Sequence, residues 1–141
     1  MIGAYGQDDR VCAFTALKSI LAIKEIPKRT AVCLLVDKEE IGSVGNTGML
    51  SRFFEMTLAE MLEKESGSCT VTAQNHMIRN SVFLSSDVGA AVDPNYESVS
   101  EKNNSAFAGH GMILMKYTGS RGKSGASDAS AEFVHEIAEI M

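Results

Sequence analysis

At 141 residues the chain has the length of one domain, and 45% hydrophobic with 22% charged residues is ordinary for a packed, soluble globular protein. A net charge of −5 argues against a dedicated nucleic-acid binder, which would carry a basic patch. No stretch approaches the ~18–20 apolar residues of a membrane span.

The opening Met-Ile-Gly-Ala-Tyr-Gly-Gln-Asp-Asp-Arg has no basic or apolar region of a signal peptide and does not read as one. Residues 9–24 read as a helix: Val11, Phe14, Leu17 and Leu21 recur at helical spacing and Pro27 stops it. The run 30–36 is continuously apolar and rich in β-branched residues, the pattern of a strand buried on both faces of a parallel sheet. Residues 47–64 predict a second helix with Leu50, Phe54, Leu58 and Met61 inward, ended by Ser66-Gly67-Ser68. The stretch 81–86 predicts another central strand, with Asp87 at its end, and 112–115 a third. Between them, 93–111 is polar and carries the turn signal Pro94-Asn95. Residues 117–127, rich in glycine and serine, read as a loop. The last helix is expected over 128–141 through Phe133, Ile137 and Ile140, capped by Ser127 or Asp128.

Strands alternating with helices imply an α/β fold with a mostly parallel or mixed central sheet flanked by helices. Ligand sites in such sheets lie beyond the carboxyl ends of the strands. Glu39-Glu40 follow one expected strand end and Asp87 terminates another. Cys12, Cys33 and Cys69 are odd in number and far apart, with no CxxC, so buried thiols in a reducing compartment are expected rather than disulfides or a thiolate zinc site.

Adjacent carboxylates such as Glu39-Glu40 repel unless a cation lies between them, and a divalent metal meets that need. Gln7-Asp8-Asp9-Arg10 adds further acids at the start of the first helix. Acids there serve equally well as helix caps, a pair such as Glu39-Glu40 as a solvated turn, and an isolated Asp87 as an Asx-turn residue. Taken together they describe a carboxylate-rich cation site. Two metals roughly 3.5–4 Å apart need a bridging carboxylate, and a neighbouring carboxylate can take the proton of water acidified by metal. The expected chemistry is metal-assisted hydrolysis.

Several blocks resemble the M18 metalloaminopeptidases, the aspartyl aminopeptidase and aminopeptidase I group. They are Ala4-Tyr5-Gly6-Gln7-Asp8-Asp9-Arg10, Val36-Asp37-Lys38-Glu39-Glu40-Ile41-Gly42-Ser43, Ser86-Asp87 and Asp93-Pro94-Asn95. Two more are Tyr117-Thr-Gly-Ser-Arg-Gly-Lys-Ser-Gly and Ser127-Asp-Ala-Ser-Ala-Glu-Phe133. Together they run in consistent order along nearly the whole chain. The resemblance implies removal of the amino-terminal residue from peptides, two divalent metal ions (zinc first, manganese or cobalt as alternatives), and a large cytosolic homo-oligomer. It implies neither a nucleic-acid nor a membrane partner. Asp8 would bridge the metals, Glu39 would be the general base, and Glu40 and Asp87 would each hold one metal. Asp9 would support the bridging aspartate without binding metal. Lys116, slightly out of register, corresponds to a family lysine that reads an acidic first residue.

The family also uses two histidine ligands, one well before the bridging aspartate and one well after the final helix, and a second, oligomerising domain inserted upstream of Asp8. None of these falls within this chain, and Ala90 stands where many relatives have histidine. Residues 1–141 are therefore expected to be a central, partial metallopeptidase catalytic domain. His76, His110 and His135 occupy no family ligand position and read as surface or boundary residues. The alternative is a non-catalytic remnant or structural piece of such an enzyme. A remoter one is phosphate or nucleotide binding by Gly119-Ser-Arg-Gly-Lys-Ser-Gly125, where Tyr117 stands in place of the first glycine of a phosphate-binding loop.

Overall fold

A computed structural model describes residues 2–120 and 124–141. The chain divides into two units, Met1–Val88 and Gly89–Met141.

The first unit holds three helices: α1 (Gln7–Leu21), α2 (Phe53–Ser66) and α3 (Val71–Arg79). Helix α1 starts two residues before the expected span and ends three residues short of it, where Ala22 N–H donates to Lys18 O at 3.0 Å and Ser19 O at 3.2 Å. Pro27 is therefore not its stop. Helix α2 starts later than expected because residues before it fold as a loop. There Leu50 N–H donates to Ser43 O (3.1 Å) and Ser51 N–H to Gly48 O (3.0 Å), so Leu50 belongs to that loop and not to an inner stripe. Gly67, at φ +79, ends α2, with its N–H on Glu63 O at 2.8 Å.

Helix α3 was not expected from the sequence. Its cap is Thr70, whose hydroxyl accepts from Ala73 N–H at 3.1 Å. It packs against α2, and Gln74 Nε2 donates to Glu55 O across the pair at 2.7 Å. His76 sits in its last turn.

The segments 30–36 and 81–86 are not strands, and neither is 112–115 in the second unit. A central parallel strand needs a hydrogen-bonded neighbour on each side. Among the described residues none pairs with these runs. Their side chains are correspondingly open, Val32 at 54% and Phe83 at 62% exposure, and no apolar side chain among the described residues is fully buried. The cysteines, expected buried, are free and only half-buried.

In the second unit the segment expected as a loop forms an antiparallel hairpin, β1 (Tyr117–Ser120) with β2 (Ser124–Asp128). Tyr117 pairs with Asp128 and Thr118 with Ser127, whose hydroxyls hydrogen-bond to each other. Glycine and serine hide such strands because they lack the apolar alternation that marks one. Residues 121–123 of the phosphate-loop resemblance lie outside the described residues. On either side the chain runs from strand to strand, whereas a phosphate cradle opens a helix. Helix α4 (Ala131–Ala138) is capped by Ser130, which accepts from Phe133 N–H at 3.3 Å, and not by Ser127 or Asp128, which belong to β2. A lone parallel bridge joins Ala91 to Ala106. Four helices and one two-stranded sheet make up the regular α and β structure of the described residues, with short 3-10 turns besides.

Candidate metal centre

Glu39 and Glu40 open a single 3-10 turn, Glu39–Ile41, between two left-handed residues, Lys38 at φ +67 and Gly42 at φ +96. The turn is closed by Gly42 N–H on Glu39 O (2.8 Å) and by Ser43 N–H on Lys38 O (2.7 Å). Its base is tied by Asp37, whose N–H donates to Thr47 O at 3.2 Å. The Asp37 carboxylate accepts from Lys38 N–H (2.8 Å) and Thr47 Oγ1 (3.3 Å) and pairs with the Lys38 ammonium (2.9 Å). Chiefly that Lys38 side chain, then its N–H, holds the Asp37 carboxyl below its ordinary value. Gly48 is buried against the turn, and a Cβ there would run into the backbone of Ser43 and Val44.

Asp8 and Asp9 lie at the start of α1 but in non-helical conformations, joined by a cis peptide bond. Gly6 is the N-cap residue and no side chain caps the helix. The helix-cap reading of this acidic pair is thereby set aside. One Asp9 oxygen, Oδ1, is buried with no hydrogen-bond partner. Asp87 follows the apolar run 81–86, and its Oδ1 accepts from Val88 N–H at 2.7 Å.

These separate pieces lie within electrostatic reach of one another. The Glu40 carboxyl is pushed above its ordinary value, first by the charge of Asp8, then by Glu39, with slighter contributions from desolvation, a hydrogen bond with Asp8, and the charge of Asp87. Cys12 is influenced by groups from two of the pieces. Its thiol is pushed up mainly by a hydrogen bond to Asp9 and by burial, against a hydrogen bond with Ser86 that lowers it. The four residues expected to form the centre, Asp8, Glu39, Glu40 and Asp87, thus share one neighbourhood in the first unit. Proximity is not yet coordination. Among the described residues no three His, Cys, Asp or Glu side chains converge closely enough to hold a metal ion. Repulsion among neighbouring carboxylates raises Glu40 without their oxygens converging on one point, as ligation at roughly 2.0–2.2 Å requires, so the two observations are compatible.

The donor chemistry suits a divalent cation. Every group is a hard oxygen ligand, and the excess negative charge that raises Glu40 is what a cation would neutralise.

The histidines stand apart from any such cluster among the described residues. In the second unit His110 meets the Phe107 ring edge-on at 6.0 Å, with Nδ1 3.4 Å from Phe107 O, and His135 lies on α4. Lys116, also in the second unit, is engaged locally. Its ammonium donates to Asp128 Oδ1 (2.6 Å) and Ala129 O (2.8 Å) and stands 4.4 Å from the Tyr117 ring centroid. The Asp128 hydrogen bond chiefly raises its pKa.

In the sequence Asp37 and Ser86 appear only as members of the family-like blocks and Cys12 only as a buried thiol, while Thr47 and Gly48 carry no signal of their own.

A family model for the aminopeptidase I zinc metalloproteases (M18) matches residues 1–141. The chain belongs to this family. It is 49% identical over 141 residues to a protein of Clostridium acetobutylicum named Probable M18 family aminopeptidase 1, covering 100% of this chain and 30% of that relative. An aspartyl aminopeptidase of Caenorhabditis elegans is 32% identical over 116 residues, 77% of this chain and 23% of the relative. The crystal structure of an M18-family aminopeptidase from Thermotoga maritima superposes with a TM-score of 0.87 at 41% identity, covering 97% of this chain and 30% of that one. The chain therefore spans less than a third of the length of these family members. No helix among its described residues is long and apolar enough to cross a membrane.

Proposed function

We propose that this chain carries the carboxylate part of a two-metal aminopeptidase centre, with Glu39 as the general base. The match of all 141 residues, at 49% identity, to 30% of the length of an M18 family aminopeptidase carries the reading. The shared neighbourhood of Asp8, Glu39, Glu40 and Asp87 supports it. Asp8 would bridge two metals, zinc by the family's description, while Glu40 and Asp87 each hold one. When bound, the metals polarise the scissile carbonyl and acidify the attacking water. Glu39 then takes a proton from that water on its carboxylate as the new C–O bond forms. It returns the proton to the departing amide nitrogen as the C–N bond breaks. Asp9 keeps the Asp8 carboxylate oriented, and Lys116 would read an acidic first residue only once released from Asp128.

In the same reading, residues 1–141 are a central portion of the catalytic domain. The apolar runs 30–36, 81–86 and 112–115 then become strands of a parallel or mixed sheet, in a cytosolic homo-oligomer. Their open side chains support that reading, since strands of this kind need neighbours on both sides. A non-catalytic role for the isolated chain is favoured by one observation, the absence of a three-ligand cluster among the described residues.

Metal content, and hydrolysis of aminoacyl-p-nitroanilides with zinc, manganese or cobalt added, separate the two. The catalytic reading expects turnover that Glu39→Gln abolishes while metal is retained. Neither metal nor turnover in the unsubstituted chain would leave the isolated chain non-catalytic.

A further inference from the structure

Asp37 occupies an unusual place for an exposed carboxylate. Its side chain is 61% exposed, and its pairing with Lys38, itself 48% exposed, is of a kind that contributes little stability in water. Yet its two oxygens serve three donors on two segments. Oδ1 accepts from Lys38 N–H at 2.8 Å, and Oδ2 meets Lys38 Nζ at 2.9 Å and Thr47 Oγ1 at 3.3 Å. Its own N–H donates to Thr47 O at 3.2 Å, so one residue closes the loop base through both backbone and side chain.

What that closure holds is the conformation just before the glutamates. Lys38 has φ +67, a region an ordinary side chain enters only when its surroundings enforce it. The enforcement is visible: Asp37 engages Lys38 through both its N–H and its ammonium, and Lys38 O accepts from Ser43 N–H at 2.7 Å. A return of Lys38 to negative φ would re-aim the whole Glu39–Ile41 turn that follows it.

We propose that Asp37 is a positioning residue: it binds no metal or substrate, and through Lys38 and Thr47 it holds the turn that presents Glu40 beside Asp8 and keeps Glu39 next to it. The inference rests on the two-metal reading for its consequence but not for its geometry. Asn at this position keeps an oxygen for Lys38 N–H and offers an NH2 to the Thr47 hydroxyl; Ala keeps neither.

The test compares Asp37→Ala with Asp37→Asn in the 141-residue chain, using Co2+ as the probe in calorimetric titration and amide hydrogen exchange at Ser43. Asp37→Ala is expected to weaken Co2+ binding by roughly 10- to 100-fold, as loss of a supporting contact does. It should also speed exchange at Ser43 while leaving α2 and α3 unchanged, and Asp37→Asn should restore most of both. Wild-type Co2+ affinity and Ser43 protection in Asp37→Ala would overturn the proposal, as would equal damage from Asn and Ala. If the unsubstituted chain takes up no Co2+, the two-metal reading fails for this chain. The positioning role then stands or falls on Ser43 exchange: faster in Ala and rescued in Asn supports it, and any other pattern, including no protection at the outset, refutes it.

Discussion

Gly48 is the position where one methyl group should do the most damage to the centre. It is buried, and an added Cβ would meet the backbone of Ser43 and Val44, not a side chain able to rotate away. Overpacking of this sort costs typically about 1–3 kcal/mol. Alanine recovers about 0.4–1 kcal/mol by restricting the unfolded chain. Because the contact is with backbone, overpacking of about 2–3 kcal/mol applies, and with about 1 kcal/mol recovered the balance leaves Gly48→Ala about 1–2 kcal/mol against the closed loop, a factor of roughly 5–30 in the ratio of closed to open forms. The natural reporter is the Leu50 amide, which donates to Ser43 O at 3.1 Å and is freed if Ser43 is pushed away. Exchange at Leu50 should accelerate by about that same 5–30-fold factor, and Co2+ affinity should fall with it. Gly3→Ala is the control, because nothing lies within 4 Å of a Cβ there. Unchanged Leu50 exchange together with unchanged Co2+ affinity in Gly48→Ala would refute the argument that this glycine presses the turn into place.

Other expectations follow from the helix caps and from Lys116. Thr70→Ala and Ser130→Ala each remove a side-chain acceptor from a helix start, at Ala73 N–H and Phe133 N–H. Each should cost about 0.5–2 kcal/mol of local helix stability. Circular dichroism and exchange at those two amides measure the loss, and full retention would mean the caps contribute nothing. Lys116 has a pKa raised in the folded chain, so its pairing with Asp128 stabilises fully below the unfolded value of about 10.4. That contribution is lost as pH rises through the folded value. The Lys116 side-chain resonances should therefore titrate later than an unpaired lysine, and Asp128→Asn should bring the midpoint down. A midpoint at the ordinary value in the unsubstituted chain would mean the pair does not persist in solution.

Helices with their own periodic pattern or cap were legible or nearly so. Val11, Phe14, Leu17 and Leu21 mark α1, and Thr70 is a cap in plain view before α3, where no element is expected from the sequence. The apolar runs 30–36 and 81–86 were legible as strand-like sequence, yet they are not strands among the described residues. A helix closes its hydrogen bonds within its own segment, whereas a strand closes them with neighbours that its own sequence does not contain. The β1–β2 hairpin failed in the opposite sense, because Thr118 and Ser127 pair through backbone and hydroxyls without an apolar pattern.

The acidic residues of the proposed centre stand out in the sequence because like charges side by side, and acids at expected strand ends, suit a cation site, although each alone serves equally well in a cap or a turn. Amino-acid type and order thus determined which groups could bind a cation and take a proton. Only the tertiary structure decided that Asp8 lies near enough to Glu40 to raise its pKa, that Asp8 and Asp9 do not cap α1, and that Lys116 turns to Asp128. It alone revealed Asp37 holding Lys38 in a left-handed turn and Gly48 packed under Ser43. The physical reason is distance. Chemical identity is a property of each residue, whereas charge repulsion, hydrogen bonding and steric contact depend on separations set by loops between segments far apart along the chain.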